Sequence, residues 1–187
     1  MRHAARLVAG IVLLGACGGD PISTEAARHF QNVAASMDAF GADVNQDLAT
    51  LRRVTASFHD FENAKHAGWS TPITPCMSSP EGGMGFHYGN TKIINGAVHV
   101  EEPELLLYEP EKNGKLRLVA VEYIVPLSAW NSAQPPRLFG RDFKVNTQFQ
   151  VWALHAWVWK DNPSGMFADW NPNVGCGDVG AVTTMLH

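Results

Sequence analysis

The chain has few basic residues and no block of them. Among its 187 residues, 14 Lys and Arg stand against 18 Asp and Glu, a net charge of −4 at pH 7. A modestly acidic surface without a cationic stripe suits a phosphate backbone poorly, so nucleic acid is not an expected partner. Cysteine is scarce, with three residues at Cys17, Cys76 and Cys176, and this spacing fits no zinc signature. Nothing in the layout is a phosphate-binding loop, a dinucleotide fingerprint between strand and helix, or a GxSxG nucleophile elbow. Long apolar runs are missing after the first segment, so no later stretch reads as a membrane span.

That first segment is informative. Met1 to Arg6 is short and basic, and Leu7 to Leu14 is an apolar run of signal-peptide length. It ends in Leu14-Gly15-Ala16-Cys17. The small-residue ending resembles a bacterial lipobox, in which Cys17 becomes the lipidated first residue of the mature protein; an ordinary secretory signal cleaved nearby is the alternative. Residues 1–17 are thus read as a lipoprotein-type signal, 18–22 as a tether, and 23–187 as one domain. With Arg2 and Arg6 removed, 12 basic residues face 18 acidic ones, a net of −6. The expected location is the cell envelope, with the membrane as partner through the lipid anchor.

Export bears on the remaining cysteines. In an oxidising compartment Cys76 and Cys176 most simply pair. Closing a loop of roughly 100 residues contributes about 4–5 kcal/mol in the chain-entropy picture. A metal site with Cys ligands is the rival reading.

The N-terminal third reads as helix. Ser23 or Thr24 can cap a segment running to about Phe40, with Gly41 as the stop. A second helix fits from about Asn45 to Ala67, where Leu48, Leu51, Val54, Phe58 and Phe61 recur at helical steps and Gly68 ends the run. Ser70 to Gly83 is rich in Pro, Ser and Gly and reads as a loop. Strands are expected over Gly83–Asn90, Glu104–Pro110, Leu116–Pro126 and Gln148–Lys160, with Asn113-Gly114 as a two-residue hairpin turn. The fold class is α+β: two N-terminal helices packed on a curved antiparallel sheet that cups them.

Strand side chains alternate faces, so the candidates can be sorted. Val151, Ala153, His155, Trp157 and Trp159 share a face of the last strand. Leu116, Leu118, Ala120, Glu122 and Ile124 share a face of the long one. Glu109 follows Leu105 and Leu107, and His87 lies between Gly85 and Gly89, which would leave open space beside it. Four strands each contribute one ionisable residue: His87, Glu109, Glu122 and His155. On one face of a curved sheet they converge. Two imidazoles with one or two carboxylates can hold a divalent ion (Zn, Mn, Fe, Cu or Ni) and leave coordination positions open. Glu109 would then be the spare carboxylate for general base work. Tyr88, Trp157, Trp159 and, from the second helix, His59 would wall the pocket for a small-molecule ligand. A pocket binding a polar ligand without metal, and a structural His–Glu network, use the same residues. A one-residue bulge would move any of the four to the other face.

His59, Glu62 and His66 lie at helical steps that permit a shared ligand, and at the edge of the apolar stripe they suit a solvated flank better. His99 to Glu104 reads as an acidic loop, solvated rather than calcium-binding.

The blocks GGMGFHY, LYEP, LVAVEYIVP and LHAWVWKDNPSGMFADWNP resemble an uncharacterised group of secreted bacterial proteins, over about Phe58 to Cys176. The likeness implies an exported domain of its own kind and carries no activity, cofactor or substrate. The expected function is therefore that of an exported lipoprotein domain holding a divalent metal in a His/Glu pocket, with metal-assisted chemistry left open. The alternatives are a metal-free binding lipoprotein and a structural envelope protein.

Overall fold

The computed structural model describes residues 40–177 and the backbone of Val182 and Thr183. The lipobox, the tether and the helix expected from Ser23 or Thr24 lie outside the described residues.

Leu48 and Leu51, three apart, set the buried stripe of helix α1 (Ala42–Thr55). The expected helix from Asn45 to Ala67 is interrupted. After Thr55 the chain tightens into a 3₁₀ turn (Ala56–His59), and Asp60 leaves the helical region at φ −85°, ψ 111°. The Asp60 carboxylate accepts a hydrogen bond from the Glu62 N–H at 3.0 Å, so it caps a new helix, α2 (Phe61–Ala67). An Asp inside a helical pattern offers the backbone this alternative, and the periodicity does not reveal it. Gly68 ends α2 in the left-handed region, φ 117°, as its position suggested.

The strands are β1 (Thr71–Ser79), β2 (Gly82–Gly89), β3 (Leu105–Pro110), β4 (Leu116–Pro126), β5 (Arg137–Leu138), β6 (Arg141–Asp142), β7 (Lys144–Asn146), β8 (Val151–Ala156) and β9 (Val182–Thr183). Six form a curled antiparallel half-barrel in the order β7-β8-β4-β3-β2-β1; β9 adds to β1 in parallel, and β5 pairs with β6 apart. The segment expected as a loop after Ser70 is therefore mostly strand β1. Its pairing with β2 shifts register between Pro72 and Thr74, between Thr74 and Met77, and between Met77 and Ser78. Proline cannot donate to a ladder, so a strand carrying Pro72 and Pro75 pairs irregularly and hides its pattern. β8 also ends earlier than expected, at Ala156.

The hairpin between β3 and β4 has a three-residue loop, not the two-residue turn expected. The Glu111 N–H bonds the Lys115 carbonyl at 2.8 Å, and the Gly114 N–H bonds the Glu111 carbonyl at 2.9 Å. Gly114 takes φ 79°, the left-handed position such loops need.

The helices pack on one face of the sheet through Leu48, Leu51, Phe58 and Ala64, against Leu106, Tyr108, Val121, Tyr123, Leu154 and Ala156. Fully burying such side chains contributes about 1.5–3 kcal/mol each. The opposite face carries Leu105, Leu107, Val119, Ala120, Ile124, Trp157 and Val174. A bulge in β4 divides the row expected from alternation: Leu107 pairs with Ala120 but Tyr108 pairs with Leu118, skipping Val119. Leu118 therefore sits on the helix face, and Ala120, Glu122 and Ile124 on the other. Cys76 and Cys176 form the expected disulfide, with Cα atoms 5.6 Å apart, tying β1 to the segment after the last long strand.

Candidate metal centre

Glu122 pairs with His155 across β4 and β8, and with Leu105 across β4 and β3. One strand further, His87 lies opposite Leu107 on β2. All three point away from the helices, and Glu122 and His87 meet across β3. One ligand atom from each of His87, Glu122 and His155 lies within 4.8 Å of the others. His87 Nε2 is 3.5 Å from Glu122 Oε2, and His155 Nε2 is 3.7 Å from Glu122 Oε1. These separations are long for hydrogen bonds. Each side chain is buried, and His155 Nε2 has no hydrogen-bond partner among the described residues.

The outer nitrogens face two further side chains, of which Thr74 is within hydrogen-bond distance and Asp169 is not. Thr74 Oγ1 and His87 Nδ1 share a hydrogen bond of 2.7 Å. His155 Nδ1 lies 4.0 Å from Asp169 Oδ1, and Lys144 Nζ holds the other oxygen of Asp169 at 2.8 Å. With Nδ1–H turned toward Thr74 and Asp169, both imidazoles would present the Nε2 lone pair to Glu122.

Burial favours the neutral form of all three groups. It lowers His87 to about 3, helped by the neighbouring His155 and opposed by a hydrogen bond with the Gly85 backbone. It lowers His155 to about 3, helped by Lys144. It raises Glu122 to about 8, helped by Asp169 and Glu104. At neutral pH the cluster therefore holds two neutral imidazoles and a carboxyl that keeps its proton until a cation replaces it.

The cluster forms part of the wall of a cavity of about 480 Å³. Ile73 and Met77 of β1, Met84 of β2, Leu105 of β3, Ile124 of β4, and Val151 and Ala153 of β8 make its apolar lining. Residues 144–149, Asp169 and Trp170 complete it.

Of the sequence candidates, His87, Glu122 and His155 come together and Glu109 does not. Glu109 shares their side of the sheet but lies four residues along β3 from the Leu105–Glu122 pair, about 13 Å at strand rise. There it pairs with Lys160, whose Nζ is 2.8 Å from Oε1, so it is neither ligand nor base for this centre.

The proposed wall residues also lie elsewhere. Tyr88 faces the helices, its ring 4.4 Å from that of Phe61. Trp159 turns to the helix face after β8 ends; its indole donates to Thr55 Oγ1 at 3.1 Å, and His59 meets its ring edge-on at 4.4 Å. Trp157 is on the site face, stacked with His155 at 6.2 Å, but it is buried behind the cluster and donates to the Ala168 carbonyl.

Gly85 and Gly89 leave no open space for an ion. A Cβ at Gly85 would meet the Tyr108 carbonyl oxygen at 2.3 Å, and one at Gly89 would meet Ile73 at 2.8 Å. These glycines admit close neighbours instead.

The sequence reading missed Thr74 and Asp169, and it placed Glu104 in a solvated acidic loop, whereas the side chain is buried. Glu104 is 2 % exposed, and its carboxylate accepts from the Ile124 N–H at 3.1 Å, where β3 no longer covers β4.

Comparison with protein-family models, with curated proteins and with solved structures finds no match, so the geometry of the site carries the functional argument.

Proposed function

We propose that the protein is an exported lipoprotein domain that binds a divalent metal ion through His87, Glu122 and His155. The observation that carries this reading is the buried His155 Nε2. It has no hydrogen-bond partner among the described residues and faces the Glu122 carboxyl group at a distance too long to satisfy it. A buried polar atom left unpaired costs about 1–3 kcal/mol, which a bound cation would recover. A purely structural His–Glu network would be expected to close these gaps to hydrogen-bond length. Two imidazoles and one carboxylate suit Zn²⁺ or Fe²⁺ and leave positions for water or a ligand. Bound there, the ion would polarise a substrate group or activate water.

The envelope location rests on the signal-length run ending at Cys17 and on a disulfide of the kind kept in oxidising compartments. Among the described residues no helix is long and apolar enough to cross a membrane. Mass spectrometry of the mature N-terminus is expected to find a lipidated Cys17, and Cys17→Ser to abolish the modification. An unmodified N-terminus elsewhere in the wild-type chain removes the anchor from the proposal.

The metal is tested by elemental analysis and melting curves after refolding with Zn, Mn, Fe, Cu or Ni. Melting temperature should rise with metal concentration. His155→Ala should lose the ion, and Glu122→Gln should weaken binding while keeping the fold. Wild-type protein that takes up none of these ions refutes the reading. The apolar lining of the cavity favours one second reading, a metal-free small-molecule site; it predicts ligand binding that chelators leave untouched.

A further inference from the structure

We infer that the cavity takes a small monoanionic amphiphile, with its anionic head on the metal and its apolar body along the cavity wall. This inference rests on the metal reading above. Two neutral imidazoles and one ionised carboxylate leave a divalent ion with one net positive charge at the buried end of the cavity. Asp169 adds none, because Lys144 pairs with it at 2.8 Å. A net charge in a buried site is costly, and a monoanionic head in an open coordination position cancels it.

The body is specified by the apolar part of the wall, on β1, β2, β4 and β8, which stands apart from Lys144, Asn146, Thr147 and Gln148 in the same lining. Met77, Met84, Ile124 and Val151 line the cavity, and they offer a ligand no charge or side-chain hydrogen bond. Its mouth carries a further signal. Among the described residues the exposed large hydrophobics are Ile73, Val145 and Phe149, at 38 %, 52 % and 47 % exposure. They come from β1, from β7 and from the turn before β8, and all three line this one cavity. Scattered exposed apolar residues need no explanation, whereas three gathered at one opening mark a contact for an apolar body. The volume of about 480 Å³ falls within the roughly 300–1,000 Å³ of small-molecule sites.

The test uses the Zn²⁺-loaded full-length protein, its zinc content measured, titrated calorimetrically with octanoate, octanol and acetate. Octanol keeps the body and lacks the charge; acetate keeps the head and lacks the body. Octanoate is expected to bind one to one, at least tenfold more tightly than either control, and at least tenfold more weakly after the metal is chelated. Phe149→Ser, at the exposed rim, should weaken octanoate severalfold and leave acetate unchanged. Zinc-loaded protein that ignores octanoate, or holds octanol or acetate as tightly, overturns the inference and leaves the metal reading standing. Octanoate held equally well with and without metal overturns the placement of its head. Protein that takes up no zinc removes the metal reading and this inference together.

Discussion

Metal uptake by this site should release close to one proton per ion near neutral pH, and that proton should come from Glu122. The two histidines, at about 3, are already neutral and ready to coordinate. Glu122, raised to about 8 by burial and by the nearby Asp169 and Glu104, is protonated in roughly nine molecules of ten at pH 7. Displacing that proton weakens apparent affinity by about tenfold at pH 7, or about 1.4 kcal/mol, and by about a hundredfold at pH 6. Affinity should therefore climb about tenfold from pH 6 to 7, about fivefold from 7 to 8, and then level off. Ordinary imidazoles near 6.5 would behave differently: at pH 6 they would add about 1.5 protons, making the slope about 2.5 rather than 1. Calorimetric titration with Zn²⁺ between pH 5.5 and 7.5, in paired buffers of different ionisation enthalpy, counts the protons directly. A count near zero means that Glu122 is already ionised. A count of two or more at pH 6 means that the histidines are charged in the metal-free protein. Either result refutes the electrostatic account of the cluster. In Glu122→Gln the count at pH 7 should fall to nearly zero.

Glu104 should give the metal-free protein a separate pH dependence. Burial raises it from 4.5 to about 8, so its contribution to stability is complete below about pH 4.5 and is lost as pH rises toward 8; Glu104→Gln should shrink the fall in melting temperature between pH 6 and 8. Glu109→Gln should leave metal stoichiometry unchanged, whereas Lys160→Met should cost about 1–3 kcal/mol in denaturant unfolding, because a buried carboxylate loses its partner. Thr74→Val should weaken metal affinity about 10–100-fold, because it removes the group that orients His87, and should cost the metal-free protein about 1–3 kcal/mol, because the buried His87 Nδ1 loses its partner. Reducing the Cys76–Cys176 disulfide should lower the melting temperature by several degrees, since it opens a loop with a sequence separation of 100 residues worth up to about 4–5 kcal/mol; an unchanged melt would show that the unfolded chain gains nothing from the release.

Alternation in β2, β4 and β8 made three site residues legible. His87, Glu122 and His155 interrupt apolar or glycine-flanked rows, and all three fall on the face the period assigns, because the ladder through Glu122 and His155 is regular from Val121 to Pro126. The same rule fails where the ladder is not regular. The skip at Val119 turns Leu118 to the helix face. Beyond Ala156 the chain leaves β8, and Trp159 reaches Thr55 on the other side. Periodicity carries information only while each residue has a partner in register, and neither event leaves a mark in the sequence.

The residues that complete the centre were hidden for a different reason. Thr74 lies in a strand whose prolines read as loop, and Asp169 follows the last long strand in a stretch with no period. Each meets its histidine only through the tertiary fold. Glu109 shows the converse. It satisfies every sequence criterion that Glu122 satisfies: a buried acid in an apolar strand, on the correct face. What separates them is position along the strand and the cation each can reach. Glu109 finds Lys160, an internal counterion, and is satisfied. Lys144, whose charge acts on His155, is paired with Asp169. A buried carboxylate between two uncharged imidazoles, with the nearby lysine engaged elsewhere, can stay protonated or accept a cation from outside. Among the described residues no lysine or arginine pairs with Glu122, and this, more than the list of donor atoms, favours the metal reading proposed above.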